Sequence, residues 1–276
     1  MHRPMRAAPL VLAALACIAQ PADSPKVVSQ AVSRDTIVER LNAVPRKLAD
    51  RVATLESIFH QAGCEGDRFR EQPVPGSKAP NLICEIPADA GSEIVVGGHL
   101  DSIEAGMGAV DDWSGAVLLP SLYQSLSGTP RRHRFVFVAF AAEERGLAGS
   151  FAFASRLKKD EMRRIDAMIN LECLGVGPPE VWASRANKRL LEAYSKVASI
   201  LNMEARGMNV DGAGDDDSHS FLRFGVPVLT IHSLTPKTLR IIHHPSDNLS
   251  AIHLDDYYAT YRLAAAYLAY LDSALE

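Results

Sequence analysis

Short β-branched apolar runs alternate with segments of helical periodicity through most of this 276-residue chain, and that alternation constrains its fold more than any other feature. Ile94-Val95-Val96, Phe135 to Phe140, Ala167 to Leu171 and Val226 to Ile231 read as strands. Trp113 to Leu126, Leu147 to Leu157, Lys188 to Leu201 and a closing stretch from about Leu254 to Leu275 carry apolar residues at helical spacing. Strands of this kind separated by helices predict an α/β three-layer sandwich, a mostly parallel central sheet with helices on both faces.

Before this alternation begins, Ile37, Leu41, Val44, Leu48, Val52, Leu55, Ile58 and Phe59 predict a helical lead-in over about residues 34–62, broken near Pro45. The polar, Pro-rich stretch GDRFREQPVPGSKAP reads as loop or edge and delivers the chain into Asn81 to Ile86, so the catalytic α/β core is expected over about 81–276. At the N-terminus, His2, Arg3 and Arg6 precede an apolar run from Ala7 to Ala19 and then small residues, the layout of a signal peptide over residues 1–22. The domain proper is then 23–276, exported to the periplasm or secreted. No later stretch reaches the roughly 18 uninterrupted apolar residues of a membrane span. In an oxidising compartment Cys64 and Cys84, which flank one loop-rich stretch, are candidates for a disulfide, leaving Cys173 as a buried free thiol.

A formal net charge of -4, with 22% charged residues, gives no reason to expect nucleic acid or an anionic membrane as a partner. Small-molecule or peptide chemistry is left. Open α/β sheets bind ligands beyond the carboxyl ends of their strands, and there the polar residues gather. The first strand ends on His99-Leu100-Asp101, the second on Glu143-Glu144, the third on Glu172; Asp111-Asp112 precedes a helix, and His243-His244 follows the strand near Ile231. Singly, Glu143-Glu144 reads as a solvated helix start, His99 as a hydrogen-bonded core histidine, and Asp215-Asp216-Asp217 as a polar loop. Jointly, carboxylates ending buried strands repel one another and resist desolvation, and a divalent cation is the ordinary way to neutralise them. Histidines among the oxygens point to zinc rather than calcium or magnesium.

Five segments in order carry a further signal: Gly98-His99-Leu100-Asp101-Ser102, Gly108 to Gly115, Phe140 to Leu147, Asn170-Leu171-Glu172 and His243-His244-Pro245-Ser246-Asp247. Together they resemble the di-zinc aminopeptidase and glutaminyl cyclase family within the MH clan of zinc metallopeptidases, over roughly Asn81 to Leu275. The resemblance implies two zinc ions per chain bridged by Asp111, one completed by Glu144 and His243 and the other by His99 and Glu172. It implies that Glu143 is the general acid/base and that the Asp101 carboxylate fixes the imidazole of His99. The family more usually has Asp at the position of Glu172 and often Thr at that of His244, so a single zinc is an alternative, and His243 is chosen over His244 by motif register. Asp216 to Phe221 also resemble the family's Asp-His-x-x-Phe segment, with His219 one place out of register and a candidate for facing substrate.

What the resemblance implies is an aminopeptidase acting on peptides with a free N-terminus through a metal-activated water. The alternative on the same scaffold is a glutaminyl cyclase, towards which the Asp-rich segment and Phe221-Leu222-Arg223 lean, while Ala142 to Ser150 lean to the peptidase. A non-catalytic binding module would have lost the base or a ligand, and all are present here. Trp113, Trp182 and Phe221 are candidates for a hydrophobic specificity pocket, although such aromatics are more often core. Oligomeric state is not readable from these features.

Overall fold

The computed structural model describes residues 30–89, 91–212 and 214–275. The signal peptide expected over residues 1–22 lies outside them. The lead-in forms two helices, α1 (Arg34–Asn42) and α2 (Leu48–Gln61), interrupted around Pro45. The first opens on Ser33, whose hydroxyl accepts the Thr36 N–H, a cap that satisfies one of the free amides at a helix start. There follow β1 (Phe69–Gln72), β2 (Asn81–Ile86), β3 (Glu93–His99), α3 (Ser114–Ala116), α4 (Leu118–Ser127), β4 (Arg134–Phe140), α5 (Ala148–Arg156) and α6 (Lys159–Met162). The chain continues as β5 (Ile165–Glu172), β6 (Glu180–Val181), α7 (Lys188–Ile200), α8 (Ser218–Leu222), β7 (Val228–His232) and α9 (Leu254–Ala274).

The strands form one seven-stranded sheet in the order β1-β2-β4-β3-β5-β7-β6. Its centre, β4-β3-β5-β7, is parallel. The flanks are not: β1 and β2 run antiparallel into β4, and β6 pairs antiparallel with β7. The strand β1 falls inside the stretch read as loop or edge. Arg70 and Glu71 on it are polar and exposed, the composition expected of a strand that must discourage further pairing.

Period-two alternation along the strands sorts their side chains between two cores, as a sheet covered on both faces requires. Leu82, Ile94, Val96, Phe135, Phe137, Ile169 and Ile231 pack on one face with Leu119, Leu122, Tyr194, Val197 and Leu268 of α4, α7 and α9. Ile83, Val95, Val136, Val138 and Met168 turn the other way, onto Phe153 of α5 and Phe221 of α8. Full burial of each such side chain contributes about 1.5–3 kcal/mol. Helix α9 is also held through tyrosine hydroxyls: Tyr257 donates to Ser114 O at 2.8 Å and Tyr267 to Leu190 O at 2.9 Å, so buried polar groups are satisfied as the helix docks.

Two fastenings tie the lead-in to this body. A disulfide joins Cys64 to Cys84 on β2, with Cα atoms 6.2 Å apart, while Cys173 is buried and free. Arg51 of α2 is completely buried, and its guanidinium donates to the carbonyls of Pro45, Leu100, Met107 and Gly108. Those last three carbonyls belong to the loop that leaves β3 for the Asp111 segment, so α2 braces the mouth of the sheet.

Candidate metal centre and pocket

Because the four central strands run parallel, their carboxyl ends share one edge of the sheet, and there the titratable residues converge. His99 is the last residue of β3, Glu172 the last of β5, and Glu143 and Glu144 occupy a 3-10 turn just beyond β4. Asp111 and His243 arrive on loops. Asp111 divides its carboxylate between two histidines: Oδ1 lies 3.1 Å from His99 Nε2 and Oδ2 lies 3.1 Å from His243 Nε2. His99 Nε2 is also 3.4 Å from Glu172 Oε1, and His243 Nε2 is 3.1 Å from Glu144 Oε2. The side chains thus fall into two triads that share Asp111. Glu143 lies beside the first, its Oε2 3.9 Å from His99 Nε2.

Backbone hydrogen bonds fix these loops. The Asp112 carboxylate, wholly buried, accepts from the amides of His99 (3.1 Å), Gly115 (3.1 Å) and Cys173 (3.0 Å), joining the ends of β3 and β5 to the start of α3. The peptide bond between Asp111 and Asp112 is cis. Asp247, the final residue of the His-His-Pro-Ser-Asp motif, accepts from the amides of Val110 at 2.7 Å and Asp111 at 3.3 Å. Ala142, Cys173 and His243 hold positive φ values of 58°, 49° and 56°. Side-chain-bearing residues adopt that region sparingly, and such strain tends to collect at functional sites.

Asp101 differs from expectation in its contact. The imidazole Nδ1 of His99 meets the main-chain carbonyl of Asp101 at 3.2 Å, with the Asp101 carboxylate farther off at 3.8 Å. The carboxylate instead accepts from the amides of Glu143 (3.0 Å) and Glu144 (3.3 Å). These are free donors at the start of a helical turn, and they claim the oxygens. The residue therefore holds the imidazole through its backbone and the Glu143-Glu144 turn through its side chain.

Burial governs the electrostatics. It pushes Glu143 up to about 10 and Glu144 up to about 7, with His99 relieving part of the effect in each case. Glu172 is raised for the same reason. Asp111 is held well below the usual carboxylate range: its two histidine contacts outweigh its burial. His243 rises to about 9, chiefly through its hydrogen bond to Asp111. Asp217, completely buried and within electrostatic reach of Glu143, is pushed up to about 8 by desolvation. In the sequence it stands in a polar run and in the segment resembling Asp-His-x-x-Phe, neither of which singles it out.

The donor set suits a metal. His99, Asp111 and Glu144 place ligand atoms within 4.8 Å of one another, as do His99, Asp112 and Glu172. The second carboxylate oxygen of Glu144, Oε1, is buried with no hydrogen-bond partner among the described residues, an arrangement that a cation resolves. Imidazole nitrogen with carboxylate oxygen is a zinc combination.

This cluster floors a cavity of about 380 Å³ whose walls include Trp182, Val210, Leu234 and Ile242. Among the aromatics considered for such a pocket, only Trp182 lines it. Trp113 is core, donating its indole N–H to Leu41 O at 3.1 Å, and Phe221 packs against Phe140 and Phe153. His219 is not part of the lining and lies 3.3 Å from Asp215. His244 is exposed and turned to Ser246, 2.8 Å from its hydroxyl, while its neighbour His243 faces the cluster.

Known proteins resemble this chain in sequence and fold. The sequence pattern of Peptidase family M28 matches residues 81–268. Leupeptin-inactivating enzyme 1 of Streptomyces exfoliatus is 29% identical over 156 residues, which is 55% of this chain and 35% of that protein. Aminopeptidase Y of Saccharomyces cerevisiae is 27% identical over 212 residues, 71% of this chain and 40% of that one. The chain thus spans less than half the length of these curated relatives. An aminopeptidase from Aneurinibacillus sp. strain AM-1 superposes with a TM-score of 0.62 at 26% identity, over 70% of this chain and 48% of its own. A glutaminyl cyclase from an Acidobacteriales bacterium shares the fold with a TM-score of 0.74 at 18% identity, over 93% of this chain and 100% of its own.

Proposed function

Because the chain belongs to Peptidase family M28, we propose that it is an exported zinc-dependent aminopeptidase that hydrolyses the first peptide bond of substrates with a free N-terminus. One observation carries the reading: paired histidine-carboxylate triads, rich in negative charge, lie at the floor of a pocket with apolar walls. His99 and Glu172 would hold one zinc, His243 and Glu144 the other, with Asp111 shared. Zinc bound there supplies Lewis acidity, making water a stronger acid and the scissile carbonyl a better electrophile.

The remaining steps belong to the protein's own side chains. The carboxylates attract the substrate's α-ammonium through charge-assisted hydrogen bonds, and the apolar walls receive its first side chain, which brings the first carbonyl to the cluster and leaves internal bonds out of reach. Glu143, whose burial favours proton uptake, accepts the proton of the attacking water and passes it to the departing amine. Asp101 keeps the Glu143 backbone in place.

A second reading has one observation in its favour. Asp217 and Glu143 are two carboxyl groups within electrostatic reach of each other, both with proton affinity raised by desolvation, and would move a proton when an N-terminal glutaminyl amine attacks its own side-chain amide and ammonia leaves. One peptide offered in free, N-acetylated and Gln-first forms, with products followed by mass spectrometry, separates the two. Stepwise loss of N-terminal residues from the free form alone supports the aminopeptidase. Equal cleavage of the acetylated form rejects it, and loss of ammonia alone from the Gln-first form identifies a cyclase.

A further inference from the structure

A second cavity, of about 590 Å³, meets the cluster from the other side of Glu144. Both cavities touch Glu144, but where the first continues past Glu172 and His243, the second continues past Asp101 and Ala142 to the α1–α2 connection. Its charge is of the opposite kind. Arg46, Lys47, Lys78 and Arg145 line it, all exposed. No ion pair is recorded for any of these cations among the described residues. Three acids share its wall: Asp101 is committed to two backbone amides, Glu144 belongs to the cluster, and Glu104 is exposed like the cations. The buried Arg51 has its donors on carbonyls and takes no part.

The cations come from separate segments: Arg46 and Lys47 from the break between α1 and α2, Lys78 from the β1–β2 connection, Arg145 from the turn after β4. Arg46, Lys47 and Lys78 precede residue 81, where the family pattern begins, so this wall is built by the part of the chain that the pattern does not describe. Cations that line one cavity without forming ion pairs repel one another, and a bound anion relieves that repulsion.

We propose that this basic cavity is the leaving-group subsite and that it binds a carboxylate on the departing part of the peptide, which makes short peptides with a free C-terminus favoured substrates. The inference rests on the aminopeptidase reading for the direction of the chain. With the first side chain in the apolar cavity, the chain beyond the scissile bond has to leave the cluster elsewhere, and the second cavity is contiguous with it at Glu144. A free dipeptide is a zwitterion. Its ammonium then faces the carboxylates of the first cavity and its carboxylate the cations of the second, so the charges of the two cavities complement those of its two ends. An acidic side chain at the second position of a longer peptide presents the same group.

The test compares kcat/KM for Leu-Ala with a free C-terminus, Leu-Ala amide, Leu-Glu amide and Leu-Gln amide, in wild type and in the Lys47→Ala/Lys78→Ala double variant, with leucine p-nitroanilide as a substrate that carries no carboxylate. The free acid should exceed its amide by roughly fivefold, the upper end for a solvent-exposed ion pair. The advantage should shrink with added salt and vanish in the double variant, whose anilide turnover stays within about twofold of wild type. A Glu-over-Gln preference without an acid-over-amide one assigns the carboxylate to a side chain instead and overturns the short-peptide preference. Equal rates for all the peptides, with the anilide turned over, overturn the subsite altogether. Failure to cleave the anilide and every one of the peptides would sink the aminopeptidase reading itself. The subsite is then decided by calorimetry with a Leu-Ala isostere whose first amide is reduced to CH2-NH: tighter binding of its free acid than of its amide supports the carboxylate site, and equal affinities refute it.

Discussion

Replacing Asp112 by alanine should destabilise the protein more than most single changes, although this residue belongs to neither histidine triad. Its carboxylate is wholly buried and serves three backbone amides, those of His99, Gly115 and Cys173, at 3.0–3.1 Å. Each buried N–H left without an acceptor costs about 1–3 kcal/mol, so the gross loss lies between about 3 and 9 kcal/mol. Part of it is returned, because burial raises Asp112 well above the usual carboxylate range and the folded protein is relieved of that group. A net loss on the order of 3 kcal/mol remains, a large share of the 5–15 kcal/mol typical of a whole domain. Equilibrium urea unfolding of metal-free protein measures it. With slopes of about 1–3 kcal/mol per molar, the midpoint should fall by on the order of 1–3 M. Asp112→Asn keeps one oxygen for the Gly115 and Cys173 amides and should fall between the parent and the alanine variant. An alanine variant within about 1 kcal/mol of the parent would refute the reasoning, since the three amides would then have found other partners at no cost.

Glu143→Gln should retain its zinc by elemental analysis yet lose turnover on the order of 100-fold or more, as removal of a general acid/base does, while Glu144→Gln should lose metal; near-normal activity in Glu143→Gln would mean another group handles the proton. Replacing Cys64 and Cys84 together by serine should lower stability by about 3 kcal/mol, the loop-closure value for a crosslink spanning 20 residues, read as a shift in thermal or urea midpoint. Asp217→Asn should change how stability depends on pH in metal-free protein. Burial raises Asp217 to about 8 in the fold, against an ordinary value of about 3.9 when unfolded. Between those values unfolding releases a proton from Asp217, so the parent loses stability as pH rises through the window more steeply than the asparagine variant, which lacks this contribution. The variant should therefore gain on the parent by on the order of 1 kcal/mol or more between pH 4.5 and 7.5, and a difference that stays flat with pH would count against a protonated Asp217.

The central strands were readable because each is a continuous apolar run buried on both faces, and such runs are distinctive in sequence. Polar Phe69–Gln72 pairs only along one edge, so its hydrogen bonds leave no hydrophobic mark, and Glu180–Val181 is too short to carry a period. At the site, the residues that face one another across the cluster sit at strand ends or in motifs, where chemistry and position coincide. Asp112 and Asp217 could be seen as acidic residues, but their roles depend on which amides and carboxyl groups the loops bring to them, and no spacing encodes that. Asp101 shows the same limit within one residue: its importance was legible, but which of its oxygens, main-chain or side-chain, meets His99 depended on two amides 42 and 43 residues away.

The anchoring of α2 has a consequence for how the molecule breathes. Arg51 reaches carbonyls 49 to 57 residues farther along the chain, and the disulfide clamps the segment after α2 to β2. Local opening of this helix would strip buried carbonyls of their donor and strand a guanidinium away from water, so it should not fray independently but open only with the sheet. Its amides should then exchange with deuterated solvent as slowly as those of β3, giving one cooperative unit that extends upstream of residue 81. A truncation at that residue would remove part of the same folding unit that presents His99 and Asp111.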